Sequence, residues 1–208
     1  MVEVPDVSVS RALEQIEAIH EQLAKGEVYR GWRPVPVAVS GVLGLIAAAW
    51  QSIATRPVEP WSFTAYWLGV ALFSLIVGCA EIVWHYVARA TATDRRRTQQ
   101  VLGQFLPALV AGAIMTGALV RLSAALATLL PGLWALFFGV GIFAARPYLP
   151  GASVWVALYY WTAGLVLLWI AGGVDTLSPW AVGGTFGMGQ LLAALALYIS
   201  DDRTSDKS

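Results

Sequence analysis

The sequence predicts an all-α integral membrane protein. It has six transmembrane helices preceded by a cytoplasmic amphipathic helix, and it carries the landmarks of a 3+3 inverted repeat. Three observations predict this class. Only 12% of the 208 residues are charged, against about 25% in a soluble domain. Mean hydropathy is +0.66 with 58% of residues hydrophobic, more apolar surface than a soluble fold of this size can bury. The charges also leave six windows free of Asp, Glu, Lys and Arg, at 34–55, 60–80, 98–120, 122–145, 147–174 and 176–200, each 21 to 28 residues long. A helix needs about 20 apolar residues to cross a hydrocarbon core of roughly 30 Å. Barrel strands need only about 9–11 alternating ones. Within lipid the backbone must satisfy its own hydrogen bonds, which leaves helices.

The first element is an amphipathic helix over 9–25, ended by Gly26 as its cap. Val9, Leu13, Ile16, His20 and Leu23 form one stripe at helical spacing, and Glu14, Glu17 and Glu21 occupy the other face. Residues 1–27 hold six acids against Arg11 and Lys25. Three readings compete: a lipid-surface helix, although such helices usually carry basic polar faces; a coiled-coil or partner-facing segment; and a helix packed on the basic 89–97 loop, with a solvated helix as the plain alternative. Residues 1–33 thus form a cytoplasmic helix with a basic anchor, Arg30-Gly31-Trp32-Arg33. Residues 34–200 form the bundle, and 201–208 a cytoplasmic tail.

Spans are expected near 35–54, 61–87, 101–121, 124–145, 153–172 and 178–200. Pro34, Pro60 and Pro179 open the first, second and sixth, where a missing N–H costs little. Pro107 and Pro131 predict a kink or a late start in the third and fourth. With both termini cytoplasmic, eleven Lys and Arg residues face inward and two, Arg56 and Arg121, face outward. That split follows the positive-inside rule. Trp50, Trp61 and Trp180 mark one interface, and Trp32, Trp84 and Trp155 the other. Trp67, Trp134, Trp161 and Trp169 are expected deeper, between helices.

Three landmarks recur in order. Ala54–Pro60 matches Ala144–Pro150 as A-x-R-P-x-x-P, Trp61 with Tyr66-Trp67 matches Trp155 with Tyr160-Trp161, and Gly103–Leu109 matches Gly189–Leu195 as G-Q-x-L-x-A-L. Two readings stand: a duplicated three-helix unit inserted with opposite orientations, or chance recurrence of abundant residues.

Few side chains carry chemistry. Glu81 and His85 lie four residues apart on one helix face. They read as an interfacial pair with the nearby arginines, or as a proton-responsive site. Gln104 and Gln190 are amides at lipid depth, expected to bond across helices or to contact a ligand. Tyr159, Tyr160 and Thr162 are expected to pack in the core. Ser40, Gly44 and Ala48 form a small-residue face, and Gly183-x-x-x-Gly187 another, suited to close packing within the bundle or in a homodimer. No cofactor or metal site is expected: the single Cys79 and two histidines have no ligand spacing. No nucleophile elbow or H-E-x-x-H motif occurs, and no basic domain suits nucleic acid.

The segment Leu129-Leu130-Pro131-Gly132-Leu133-Trp134 through Arg146-Pro147, with Ala18-Ile19-His20 to Tyr29-Arg30-Gly31, resembles a family of bacterial multi-helix inner-membrane proteins with no assigned activity. The resemblance implies a bacterial inner-membrane location and no catalytic residue. The functional expectation is a non-enzymatic membrane protein acting through protein contacts, as a homo-oligomer or through a protein bound at the N-terminal helix. The alternative is a small carrier or channel for a neutral or apolar solute, with a cavity lined by Gln104, Thr162, Thr185 or Gln190.

Overall fold

The structure, a computed structural model, describes residues 34–54, 59–88, 92–171 and 177–205. Among them every regular element is helical. The six long helices are α1 (Pro34–Ala54), α2 (Pro60–Ala88), α3 (Ala92–Leu122), α4 (Leu130–Ala145), α5 (Ser153–Ala171) and α6 (Pro179–Ser205). Short 3-10 segments at Ala124–Leu129 and Arg146–Tyr148 bracket α4. Each long helix, α4 counted with its flanking 3-10 turns, is long and apolar enough to cross a membrane. The chain is a multi-pass membrane protein. The expected amphipathic helix over 9–25 lies outside the described residues.

Helix ends follow local chemistry more than hydropathy. Pro60 and Pro179 open α2 and α6, where the amide they lack is not needed. The Glu59 carboxylate accepts from the Ser62 amide at 3.1 Å, placing an anion at the positive end of α2. Pro131 delays the fourth helix as expected: the α-helix begins at Leu130, after a 3-10 turn that Ser123 caps. The third helix runs unbroken through Pro107 and begins at Ala92, nine residues before the expected boundary. Its first turns hold Asp94 and Arg95–Arg97. The charge-free window marks where the chain meets hydrocarbon, whereas the hydrogen-bonded helix continues into the polar region. The sixth helix likewise continues past 200 to Ser205.

Two antiparallel seams organise the bundle. The longest interface joins the first and last spans, α1 and α6, and the next joins α4 and α5. On α1 the stripe Gly41, Gly44, Ala48 and Gln51 is buried. It meets Gly183 and Gly187 of α6, with the Gln190 and Leu191 side chains closing the end beside Gly41. Backbones approach so closely that a Cβ built on Gly41 would sit 2.9 Å from the Gly187 carbonyl oxygen. One on Gly183 would sit 2.5 Å from the Ala48 Cβ and from the Gly44 carbonyl oxygen. The expected stripe therefore keeps Gly44 and Ala48 and changes at its first position. Gly41, not Ser40, faces α6, and the Ser40 hydroxyl donates to the Val37 carbonyl of its own helix at 2.7 Å. In the second seam Gly132 and Gly164 face each other, each within 2.9 Å of the other's carbonyl as seen from a built Cβ.

The two halves pack differently: α4 and α5 share an extensive interface where α1 and α2 share a slight one. Among the described side chains of α2, the first turns are seated through Phe63, Thr64 and Trp67, while Leu72, Phe73, Leu75 and Ile76 are exposed. Trp50, Trp61, Trp155 and Trp180 are exposed, as interfacial residues would be. Trp169 is not packed between helices as expected; it is 87% exposed on the outer side of α5.

The seam makes a sharp prediction. Gly183→Ala forces a methyl into Ala48 and the α1 backbone, and overpacking of this kind costs about 1–3 kcal/mol. Thermal unfolding in detergent should show a lowered Tm. Gly184→Ala, whose Cβ would meet only Trp180 at an ordinary 3.8 Å, should leave Tm unchanged or raise it.

Candidate functional site

The bundle interior holds two aromatic clusters joined by Phe186, which packs against both. The first lies where α1, α2 and α6 meet and contains Ala48, Phe63, Trp67 and Val182, with Trp134 packed on it. Here the Trp67 indole Nε1 donates to Gln51 Oε1 at 2.8 Å, and both side chains are buried. Beside them Tyr66 stands edge-on to the Trp67 ring and its hydroxyl donates to the Ala47 carbonyl at 2.9 Å. The helix turn dictates this pairing. Gln51 continues the Gly41, Gly44, Ala48 stripe at three- and four-residue steps, so it must enter the interior. A buried amide needs partners, and the indole of α2 supplies one.

The second cluster gathers α3, α4, α5 and α6 around Tyr160, which is fully buried. Phe138 and Phe186 contact its ring at 4.8 and 5.4 Å between centroids, and Phe105 meets Phe138 edge-on at 5.1 Å. Gly189 opposite leaves room for the phenol. The adjacent hydroxyls of Tyr159 and Tyr160 donate to successive α6 carbonyls, Thr185 at 3.1 Å and Phe186 at 3.3 Å. Between α3 and α4, Trp134 Nε1 donates to Thr116 Oγ1 at 2.8 Å, while that hydroxyl donates in turn to the Gly112 carbonyl at 2.7 Å.

These arrangements tie helices together. Each donor ends on an amide, hydroxyl or carbonyl oxygen, so none forms the base-activated nucleophile that covalent catalysis requires. Among the described residues no group of three His, Cys, Asp or Glu side chains comes together. One buried hydroxyl among them, Ser153 Oγ at the start of α5, has no hydrogen-bond partner.

The sequence-predicted site residues that the structure describes fall in different places. Gly183 and Gly187 are both buried in the α1–α6 seam, so this glycine pair builds the bundle. Gln190 is half-buried with its Cβ against Gly41, whereas Gln104 is exposed on α3. Thr162 is exposed rather than in the core, and its hydroxyl donates to the Leu158 and Tyr159 carbonyls of its own helix. Where α3, α5 and α6 converge, aromatic rings fill the space. Glu81 and His85 lie on the helical backbone of α2, and their side chains are outside the described residues. Leu13, Ile16, His20 and Leu23 also lie outside them. Sequence reasoning missed Gln51 and Thr116. Gln51 follows Trp50 and reads as an interfacial residue, yet its place on the glycine stripe was the signal that marks it as internal. Thr116 carries no comparable signal.

No family model, curated protein or solved structure matches the chain.

The indole–amide pair can be tested by a double-mutant cycle. Gln51→Leu strands the buried Trp67 N–H at a cost of about 1–3 kcal/mol. Trp67→Phe added to it removes the stranded donor. Unfolding midpoints should show the double variant less destabilised than the sum of the two single ones.

Proposed function

We propose that this chain is a non-enzymatic membrane protein that works by protein–protein contact, as an accessory, scaffold or regulatory subunit. The observation that supports this reading most directly is the use of the interior. Tyr66, Trp67, Trp134, Tyr159 and Tyr160 each spend their polar hydrogen on a neighbouring helix. A bundle whose buried polar groups serve as ties is a rigid frame that displays its outward faces and the segment leading into α1.

That leading segment supplies the recognition. The stripe Val9, Leu13, Ile16, His20 and Leu23, backed by Glu14, Glu17 and Glu21, suits an amphipathic helix that pairs with a partner helix or with a second copy of itself. Its acidic face favours a basic partner surface. The positive-inside distribution supports a cytoplasmic position for this segment and for the C-terminus, in the cytoplasmic membrane of a bacterium.

Deleting residues 1–27 should abolish cross-linked partner capture while leaving membrane insertion and Tm unchanged. Reversing Glu14, Glu17 and Glu21 to Lys should weaken capture and invert its dependence on salt. Capture that survives both changes would overturn the proposal.

A further inference from the structure

At the end of the bundle where α5 finishes and α6 begins lies a half-enclosed cavity of about 270 Å³. The 3-10 segment and the first turn of α4 contribute Thr128 and Pro131, the last turns of α5 contribute Leu167, Ile170 and Ala171, and α6 with its entry contributes Leu177, Ser178 and Ala181. Its chemistry is sided. Pro131 is buried, while Ile170 and Ser178 are exposed. The two hydroxyls, Thr128 and Ser178, are the polar groups of an otherwise aliphatic lining. The Thr128 hydroxyl donates to the Ala125 carbonyl at 2.9 Å, which leaves its oxygen free to accept.

The cavity owes its existence to backbone already described. Pro131 stands in the first turn of α4, directly after the 3-10 turn, and this α3–α4 connection supplies one wall through Thr128 and Pro131. Ala171 and Ala181 then present methyl groups where larger side chains would close the gap. Water is a poor occupant of an aliphatic space, because it needs two to four polar partners. Thr128, Pro131, Leu167, Ile170, Ala171 and Ala181 lie toward the ends of candidate membrane spans, and Leu177 and Ser178 just outside one, so the mouth opens at the membrane interface, where acyl chains meet their ester groups. The volume falls just below the roughly 300 Å³ at which sites for whole small molecules begin. It suits a segment of hydrocarbon chain with a polar group near the rim.

We propose that this cavity binds an acyl chain of a membrane phospholipid as a resident lipid, with the ester region of that lipid near Thr128 and Ser178. The site is independent of the contact function proposed above, since none of its lining residues belongs to the segment 1–33.

The test uses the full-length protein purified in detergent and weighed by native mass spectrometry. The wild type should retain one phospholipid per chain after extensive washing, and adding phospholipid back to delipidated protein should raise its Tm. Ala181→Trp fills the cavity from α6 and should lower retention about tenfold or more, with the Tm response to lipid lost. Ala171→Phe fills it from α5 and gives the same readout should the first variant fold poorly. Ala118→Trp, on an exposed position of α3, should retain lipid like the wild type. Retention of detergent alone, no retained lipid in the wild type, or equal retention in the filled variants would each overturn the proposal.

Discussion

The architecture depends on the backbone contact between the first and last spans. In lipid, apolar side chains gain little by leaving one hydrocarbon for another, so helices associate through close packing and polar ties. Gly41, Gly44, Gly183 and Gly187 remove the side chains that would hold α1 and α6 apart. The contact joins segments more than 130 positions apart in sequence and so closes the bundle on itself. The Gly132–Gly164 approach does the same for α4 and α5. Other helix pairs share smaller interfaces, and among its described side chains α2 is seated at its start.

Polar ties complete the seams. Trp67 and Gln51 extend the α1 stripe onto α2, and Tyr159 and Tyr160 fasten α5 to two neighbouring carbonyls of α6. Net contributions of interhelical hydrogen bonds in membranes are small, about 0.6 kcal/mol on average. The larger effect is specificity, because a buried donor left without its acceptor costs about 1–3 kcal/mol. Such ties fix the rotation of each helix, and the ring cluster around Tyr160 fills the space that this rotation defines.

The sequence made the class and the six spans legible because charge exclusion from hydrocarbon is a strong, local signal. Helix ends at Pro60, Pro131 and Pro179 were legible for the same local reason: proline acts on its own backbone. Partner choice was not. Gly183 and Gly187 read equally as bundle or dimer contacts, since small-residue spacing states that a helix approaches closely but not which one. The four-residue steps of Ser40, Gly44 and Ala48 and the three- and four-residue steps of the buried stripe from Gly41 both fit a helix, and only the antiparallel partner distinguishes them. Gln104 and Gln190 stand out in the sequence as amides at lipid depth, while Gln51, beside an interfacial tryptophan, holds the buried hydrogen bond. Trp169 shows the same limit in reverse, for depth in the span does not set the face on which a ring lies.

A frame closed in this way has little freedom to rearrange its interior, which fits a subunit that acts through its surfaces and through the segment leading into α1. The closure itself is open to direct measurement. A photoreactive leucine analogue at Leu45, whose side chain lies against Gly187, keeps the native shape. After irradiation and digestion, mass spectrometry should identify an α1 peptide joined to the α6 peptide around Gly187. An adduct with lipid, or with any other helix, would contradict the account.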